Sequence, residues 1–394
     1  MKFLYIAPRF HTNQAPIVEG LVNEGHEVSF LVEKFGISED YSVITPECIE
    51  KSLISKTFFK LIDFLMKSQN NENKKMKFFI PSFIKFFNQI KDINPDVVVL
   101  RNRSFVTAYA NFICKLIGCR AVLLYNQTPI YFEKADNSFR MKNFILEKIK
   151  KNIFPYVRIT PVLYRGIYEQ SYKYATKCIN EHEYFLPFVA KVDEVLHRRN
   201  YCYGDKIRIL DVGKYRDYKN HYVLVDAIKK LEDCSSVNVT IVGQVSCDEE
   251  ERYYDDLVKY INSCGLSKIF SLKKNVAFNK MVSLYHEHDI FVLTSKNEIA
   301  SISVLEAMAN GLVVISTSAN GTASYIEENI DGYIFETMNS DDLSYKLLNL
   351  ISNPSKIVEV GNKAIDTVTQ KYTFQSYYQK ISEIVEKEFN KKIQ

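Results

Sequence analysis

The sequence predicts an α/β fold made of two Rossmann-like, doubly wound parallel-sheet domains in tandem. Three observations carry this expectation: short apolar runs alternate with helical spacing, the same alternation restarts after residue 205, and 394 residues suffice for two cores. KFLYIA (2–7) reads as a strand, PRFHTNQ as a polar loop, and Ala15 to Asn23 as a helix stopped at Gly25. HEVSFLVE, PDVVVLR (95–101) and CRAVLLYN (119–126) repeat the strand signature with helical spacing between them. The second half reads KIRILDVG, helix 220–231, VNVTIVG, helix 249–263, IFSL, DIFVLTS, helix 303–310 and LVVISTS. The weakly patterned stretch 187–205 is the expected linker. It separates a first domain (1–190) from a second (191–373), and a terminal helix (374–394) is expected to pack back toward the first domain. Ligands of doubly wound sheets bind at the carboxyl ends of strands, so the expected site is a cleft between the two units.

Composition bounds the function. With 46% apolar and 25% charged residues, the chain belongs with ordinary soluble globular proteins. It contains no run of 18 apolar residues, and MKFLYIAPRF is too short and too quickly polar for a signal peptide, so a cytoplasmic protein is expected. Eight scattered cysteines without a CxxC pair indicate neither a zinc site nor a disulfide framework. The net charge of +4 is uneven: residues 1–195 carry 27 basic and 20 acidic side chains, the remainder 24 and 27. Lys51 to Lys91 holds nine lysines interleaved with phenylalanines, Phe83 and Phe87 among them. Such a stretch suits an anionic membrane surface, with these two rings as anchors, and equally suits helices packing their Phe faces inward. Nucleic acid is the weakest reading of the same lysines.

Two constellations suggest chemistry. Val212-Gly213-Lys214 is followed five residues later by Lys219, so a strand ends in glycine and two cations flank the next loop. That arrangement suits a diphosphate, and Arg216 between them adds charge. The second constellation is Glu298, seven residues, then Glu306, in TSKNEIASISVLEAMANGLVVIST. A helix beginning near Ser301 to Ser303 would place its free amides between the two carboxylates, and Gly311 would stop it. Glu306 sits among Val304, Leu305, Ala307 and Met308, where a carboxylate needs hydroxyl or N–H partners such as a ribose diol.

The passage from ILDVGKYRDYKN through NEIASISVLEAMANGLVVISTSANGTASYIEENIDGYIF resembles glycosyltransferase family four, the retaining GT-B enzymes that use nucleotide-activated sugars. The resemblance implies two Rossmann-like domains facing across a cleft. Lys214, where arginine is commoner, and Lys219 become diphosphate contacts. Glu298 lies beside the transferred sugar, Glu306 holds the ribose, and the backbone at Asn275 and Val276 meets the base. Gly213, Ser301, Ile302 and Ser303 complete the implied donor site.

GHEV and PDVV match landmarks of the N-terminal half, yet the family's Gly-Gly loop reads RFHTNQAP here, leaving His11, Asn13 and Gln14 to bind phosphate or acceptor. Gln127 stands where many members have histidine, so it and Asn126 can hydrogen-bond a sugar but not transfer a proton. Arg101 and Arg103 are further acceptor-side candidates. Lysines and a helix start replace a metal, and no Asp-x-Asp stands at a strand end, so no metal and no cofactor beyond a UDP or GDP sugar is expected. The implied activity is sugar transfer to a saccharide or polyprenyl-linked acceptor in surface polysaccharide synthesis at the inner membrane surface. A GT-B sugar-nucleotide epimerase and a catalytically inactive sugar-nucleotide-binding module are the rivals, the latter because Ser301 replaces a usual glycine.

Overall fold

The computed structural model describes residues 1–36, 41–65, 76, 79–101, 104–125, 156–162, 183–192, 200–202, 204 and 206–390. They fall into two compact units, Met1–Pro161 with Ile179–Leu186 and Tyr378–Gln394, and Val162–Cys178 with Pro187–Tyr377.

In the first unit β1 (Lys2–Ala7), β2 (Glu27–Val32), β3 (Glu47–Cys48), β4 (Val97–Arg101), β5 (Ala121–Tyr125), β6 (Val157–Thr160) and β7 (Glu183–Phe185) form one parallel sheet in the order β3-β2-β1-β4-β5-β6-β7. The runs VVVLR and AVLLY are buried along their whole length, as central parallel strands covered on both faces require. On one face Leu4, Ile6, Leu31, Val98, Leu100, Val122 and Leu124 pack with Phe86, Ile90, Val106, Ala110 and Ile113 from the helices Phe83–Ile93 and Phe105–Leu116.

The second unit repeats the plan with β8 (Ile207–Val212), β9 (Val237–Gly243), β10 (Phe270–Lys274), β11 (Ile290–Leu293), β12 (Val313–Thr317) and β13 (Gly332–Phe335). All pair in parallel, in the order β10-β9-β8-β11-β12-β13. Asp289, fully buried before β11, ties the entry to the sheet by accepting from the Cys202 and Arg208 amides and from the Arg208 guanidinium at 2.8–3.0 Å.

In both sheets the strand order reverses beside the first strand, at β1/β4 and at β8/β11. The loops leaving those strands diverge there, which opens a crevice at their carboxyl ends. Close packing shapes the second crevice. A Cβ at Gly243 would meet the Gly213 carbonyl oxygen at 2.5 Å and the Tyr215 ring at 2.6 Å, so only glycine lets the loop after β8 lie on the end of β9.

One stretch differs from expectation. Pro187–Ala190, read as the start of a linker, belongs to the second unit: Phe188 and Val189 are buried, the Phe188 amide donates to the Tyr325 hydroxyl at 3.0 Å, and the Ala190 amide donates to Tyr372 O. Its apolar FVA triplet, not the following polar residues, decides this. The terminal helix Phe374–Phe389 belongs to the second unit through Tyr377 and to the first from Tyr378, whose hydroxyl lies 2.8 Å from His26 Nε2.

Candidate functional site in the second unit

The loop after β8 and the loop after β11 meet at the sheet's reversal point. Lys219 leaves a short 3-10 turn (Asp217–Lys219) and runs back across Gly213, where a Cβ would stand 3.1 Å from its Cδ. Its ammonium meets the Glu298 carboxylate in a largely buried ion pair, and Ser295 Oγ lies 3.5 Å from the same carboxylate oxygen. Burial pulls the Lys219 pKa down, but Glu298 more than offsets this and leaves it raised, so the lysine is charged at neutral pH. The adjacent Asn220 takes the left-handed conformation (φ 53°) that ends the turn. Arg216, read as a loop cation, turns away to pair with buried Glu250 at 2.6 Å. Lys214 is half-buried at the mouth of the same loop.

Glu298 is fixed from its backbone: its amide donates to Ala319 O at 2.8 Å, its carbonyl accepts from the Gly321 amide at 3.1 Å, and it bridges Asn320 in parallel. Fully buried Asn320 holds the next segment, accepting from the Ser301 amide at 3.4 Å, while Thr322 donates to Ser301 O at 2.9 Å. The helix Ile302–Ala309 therefore starts at a fixed point beside Glu298. Ser301 gives its first amides no side-chain cap, since its hydroxyl pairs with Ser303 Oγ at 2.7 Å. Such a helix start favours an anion. Glu306, one turn in, accepts from the Tyr285 hydroxyl at 2.9 Å. Burial raises its pKa while that hydrogen bond works the other way.

Asn275 also takes the left-handed conformation (φ 54°), and its amide group clamps the Val245 backbone, accepting from the amide at 2.8 Å and donating to the carbonyl at 3.1 Å. The side chain is thus engaged, and Val276 follows on the partly exposed rim of β10. Among the described residues no group of three His, Cys, Asp or Glu side chains is arranged to hold a metal ion.

The family model for glycosyl transferases group 1 matches residues 192–367, which contain every one of these side chains. Those residues match the family of group 1 glycosyl transferases. A Staphylococcus aureus poly(ribitol-phosphate) alpha-N-acetylglucosaminyltransferase is 33% identical over 92 residues, 23% of this chain and 19% of that protein. A Salmonella typhimurium lipopolysaccharide 1,2-N-acetylglucosaminetransferase is 24% identical over 193 residues, 48% of this chain and 50% of that protein. The chain thus spans half or less of the length of these curated relatives. The fold of an Anabaena protein, HepE, solved in complex with UDP, superimposes with a TM-score of 0.71 at 13% identity, covering 98% of this chain and 100% of that one. The two parallel-sheet units have the GT-B architecture of such glycosyltransferases.

Within the matched residues, all the donor-side residues named from the sequence lie on the carboxyl-end loops of β8, β10 and β11 or on the helix that follows β11. Sequence reasoning missed the support beneath them: Asp211, His221, Tyr285, Thr294 and Asn320. An aspartate inside the apolar run IRILDV and a histidine two residues after Lys219 were the available signals.

The first unit offers a polar edge at its own reversal point. Arg101, buried at the end of β4, lies over the Tyr125 ring at 4.9 Å and donates to Asn13 Oδ1 at 3.4 Å. Gln14 is buried and accepts from the His11 amide at 2.9 Å, while Arg9 Nε lies 3.3 Å from His11 Nε2. The structure thus brings Asn13 and Arg101 together and engages Gln14 in holding the loop. Arg103, Asn126 and Gln127 lie outside the described residues. Glu33, not singled out from the sequence, follows β2 on this edge, its amide donating to Ala7 O at 3.3 Å. It is 8% exposed, and burial, partly countered by Lys34, pushes its pKa up from 4.5 to about 7.

This shift has a definite sign. Folded Glu33 holds a proton that the unfolded chain releases near pH 4.5, so its favourable contribution is complete below that pH and lost as pH rises through about 7. Glu33→Gln, which stays neutral, should gain stability relative to the parent between pH 5 and pH 8, by on the order of 3 kcal/mol at most. Urea unfolding at both pH values measures this, and a difference independent of pH contradicts the assignment.

Proposed function

We propose that this chain is a retaining glycosyltransferase that moves a sugar from a UDP- or GDP-type donor to a saccharide acceptor carried on a lipid, in building a bacterial surface polysaccharide such as O-antigen, capsule or lipopolysaccharide. The observation that carries this reading is the Lys219–Glu298 pair beside the uncapped start of helix Ile302–Ala309. A buried cation and a helix start suit a diphosphate, and the two carboxylates suit hydroxyls on either side of it. The relatives named for teichoic-acid and lipopolysaccharide sugar transfer, and the UDP complex of the Anabaena protein, support the substrate class.

On this reading Lys214, Lys219 and the amides at Ile302 and Ser303 neutralise the charge that grows on the leaving diphosphate. Loss of such a contact costs on the order of 3 kcal/mol of transition-state stabilisation. Glu298 orients sugar hydroxyls. The acceptor oxygen bonds to the anomeric carbon on the face the nucleotide leaves, the bond to the diphosphate breaks, and the acceptor proton passes to the departing phosphate oxygen. Glu306 binds the ribose, and the main chain at Asn275 and Val276 meets the base. The lysines supply positive charge that a metal would otherwise provide, so metal independence is part of the proposal. His11, Asn13 and Arg101 form the acceptor-side edge of the first unit.

Glu306→Gln should weaken binding of whichever of UDP and GDP the parent prefers about tenfold or more, because a hydrogen bond to a charged acceptor is replaced by a neutral one. Fold stability should change little. Calorimetry decides, and an unchanged affinity removes the ribose role.

The membrane part of the proposal rests on a specific patch. An antiparallel bridge between Lys51 and Pro81 sets the starts of helices Leu53–Leu65 and Phe83–Ile93 side by side. There Leu53 is 81% and Ile84 76% exposed, with Ile54 and Phe58 near them in sequence and Lys56, Lys60 and Lys85 exposed on the same helices. Of the anchors expected from sequence, Phe83 stays 44% exposed beside its edge contacts with Phe105 and Tyr109, whereas Phe87 packs against the core. Among the described residues no helix is long and apolar enough to cross a membrane.

Surface docking should require anionic lipid and weaken with salt as charges are screened over about 8 Å at physiological ionic strength, each lysine contributing about 1 kcal/mol. Co-sedimentation with anionic vesicles should be lost in the Leu53→Ser/Ile84→Ser double variant without loss of fold. Binding that is indifferent to lipid charge, or unaffected by that variant, contradicts the surface assignment.

A further inference from the structure

Beneath the two lysines lies a polar cluster in an otherwise apolar core. Asp211, the fifth residue of β8, is 1% exposed, and His221 and Thr294 are 0% and 1% exposed. His221 Nδ1 lies 3.0 Å from Asp211 Oδ2, and its Nε2 lies 3.3 Å from the carbonyl oxygen of Lys214. A carbonyl only accepts, so Nε2 carries the hydrogen of that bond. The Thr294 hydroxyl is 2.8 Å from Lys219 O and 3.2 Å from Asp211 Oδ2, so it is placed to donate to either. The His221 amide is itself held by the Tyr253 hydroxyl at 3.1 Å, and the ring packs between Tyr215 and Tyr253.

The Lys214 carbonyl is therefore tied to the buried carboxylate through His221, and the Lys219 carbonyl is held by the Thr294 hydroxyl at 2.8 Å beside that same carboxylate. An apolar trio would avoid desolvating a carboxylate and an imidazole but would take these donors away from the two main-chain carbonyls. What the polar trio adds is a fixed height and direction for the six-residue segment 214–219 that carries two cations.

We propose that Asp211, His221 and Thr294 are positioning residues that set Lys214 and Lys219 against the donor's diphosphate. This rests on the reading of those lysines as diphosphate contacts. None of the three touches the ligand, so their effect is on the phosphate part of binding and not on the nucleoside part.

The test compares nucleoside diphosphate with monophosphate, using UDP and UMP, GDP and GMP, by calorimetry on the full chain. Thr294→Val keeps the shape and removes the hydroxyl, and His221→Gln keeps one donor and removes the bridge. In both, the tighter binding of diphosphate over monophosphate should shrink about fivefold, the equivalent of one net hydrogen bond, while monophosphate affinity stays within about twofold. Thr294→Ser should restore the parent ratio. Equal losses for both nucleotides, or a lower melting temperature with an unchanged ratio, mean a merely structural cluster and overturn the proposal. Lys219→Ala serves as the separate control. If it collapses the ratio while Thr294→Val does not, this inference alone fails, and if it leaves the ratio intact, the reading of the lysines fails first. Absence of binding by both diphosphates to the parent overturns both.

Discussion

The ion pair between Lys219 and Glu298 is the constraint on which the second unit's site depends. Two oppositely charged side chains from loops 79 residues apart are taken largely out of water at the reversal point of a parallel sheet. Desolvation of such a pair consumes much of its attraction, so its geometry has to be held by the surrounding fold. Gly213 leaves room for the lysine stem, Asn220 supplies the left-handed turn behind it, and Asn320 and Ala319 fix the glutamate's backbone from the next strand's exit. Proposed as the donor site, the pair is also an exchange device. On that proposal an arriving diphosphate would compete for Lys219, and Glu298 would then turn to sugar hydroxyls.

The two sheets solve the same problem of placement. Each reverses its strand order beside its first strand, and in each a basic side chain sits at that point next to an amide or carboxylate, Arg101 with Asn13 in one and Lys219 with Glu298 in the other. The halves diverge in what supports those side chains. The first unit has Arg101 over an aromatic ring and a loop closed by Gln14, whereas the second has the buried Asp211, His221 and Thr294 cluster under a glycine-edged loop.

Much of this was legible in the sequence because parallel strands buried on both faces read as unbroken apolar runs. PDVVVLR, DIFVLTS and LVVISTS became strands, and Gly25 and Gly311, at φ 82° and 72°, ended the helices they were expected to end. The pairing of Glu298 with Lys219 was not legible, since each was read for a ligand and nothing in their spacing says that they meet each other. Arg216 and Gln14 were read as available side chains and turned out to be engaged with Glu250 and the His11 backbone, partners that only tertiary packing brings near. Of the two rings expected as anchors in the basic aromatic stretch, Phe83 is 44% exposed while it touches Phe105 and Tyr109, and Phe87 packs against the core. A period of 3.6 without knowledge of the covering helix cannot resolve that difference.

The most direct measurement is the melting temperature of the parent and of Glu298→Gln, each with and without UDP or GDP, whichever binds. Removing the carboxylate leaves Lys219 buried without its partner, so the variant should melt lower than the parent in the absence of nucleotide. The diphosphate then replaces the missing anion, and by mass action its stabilising shift should be larger in the variant than in the parent. A shift in Glu298→Gln equal to or smaller than that of the parent would contradict the claim that Glu298 holds the place the diphosphate takes.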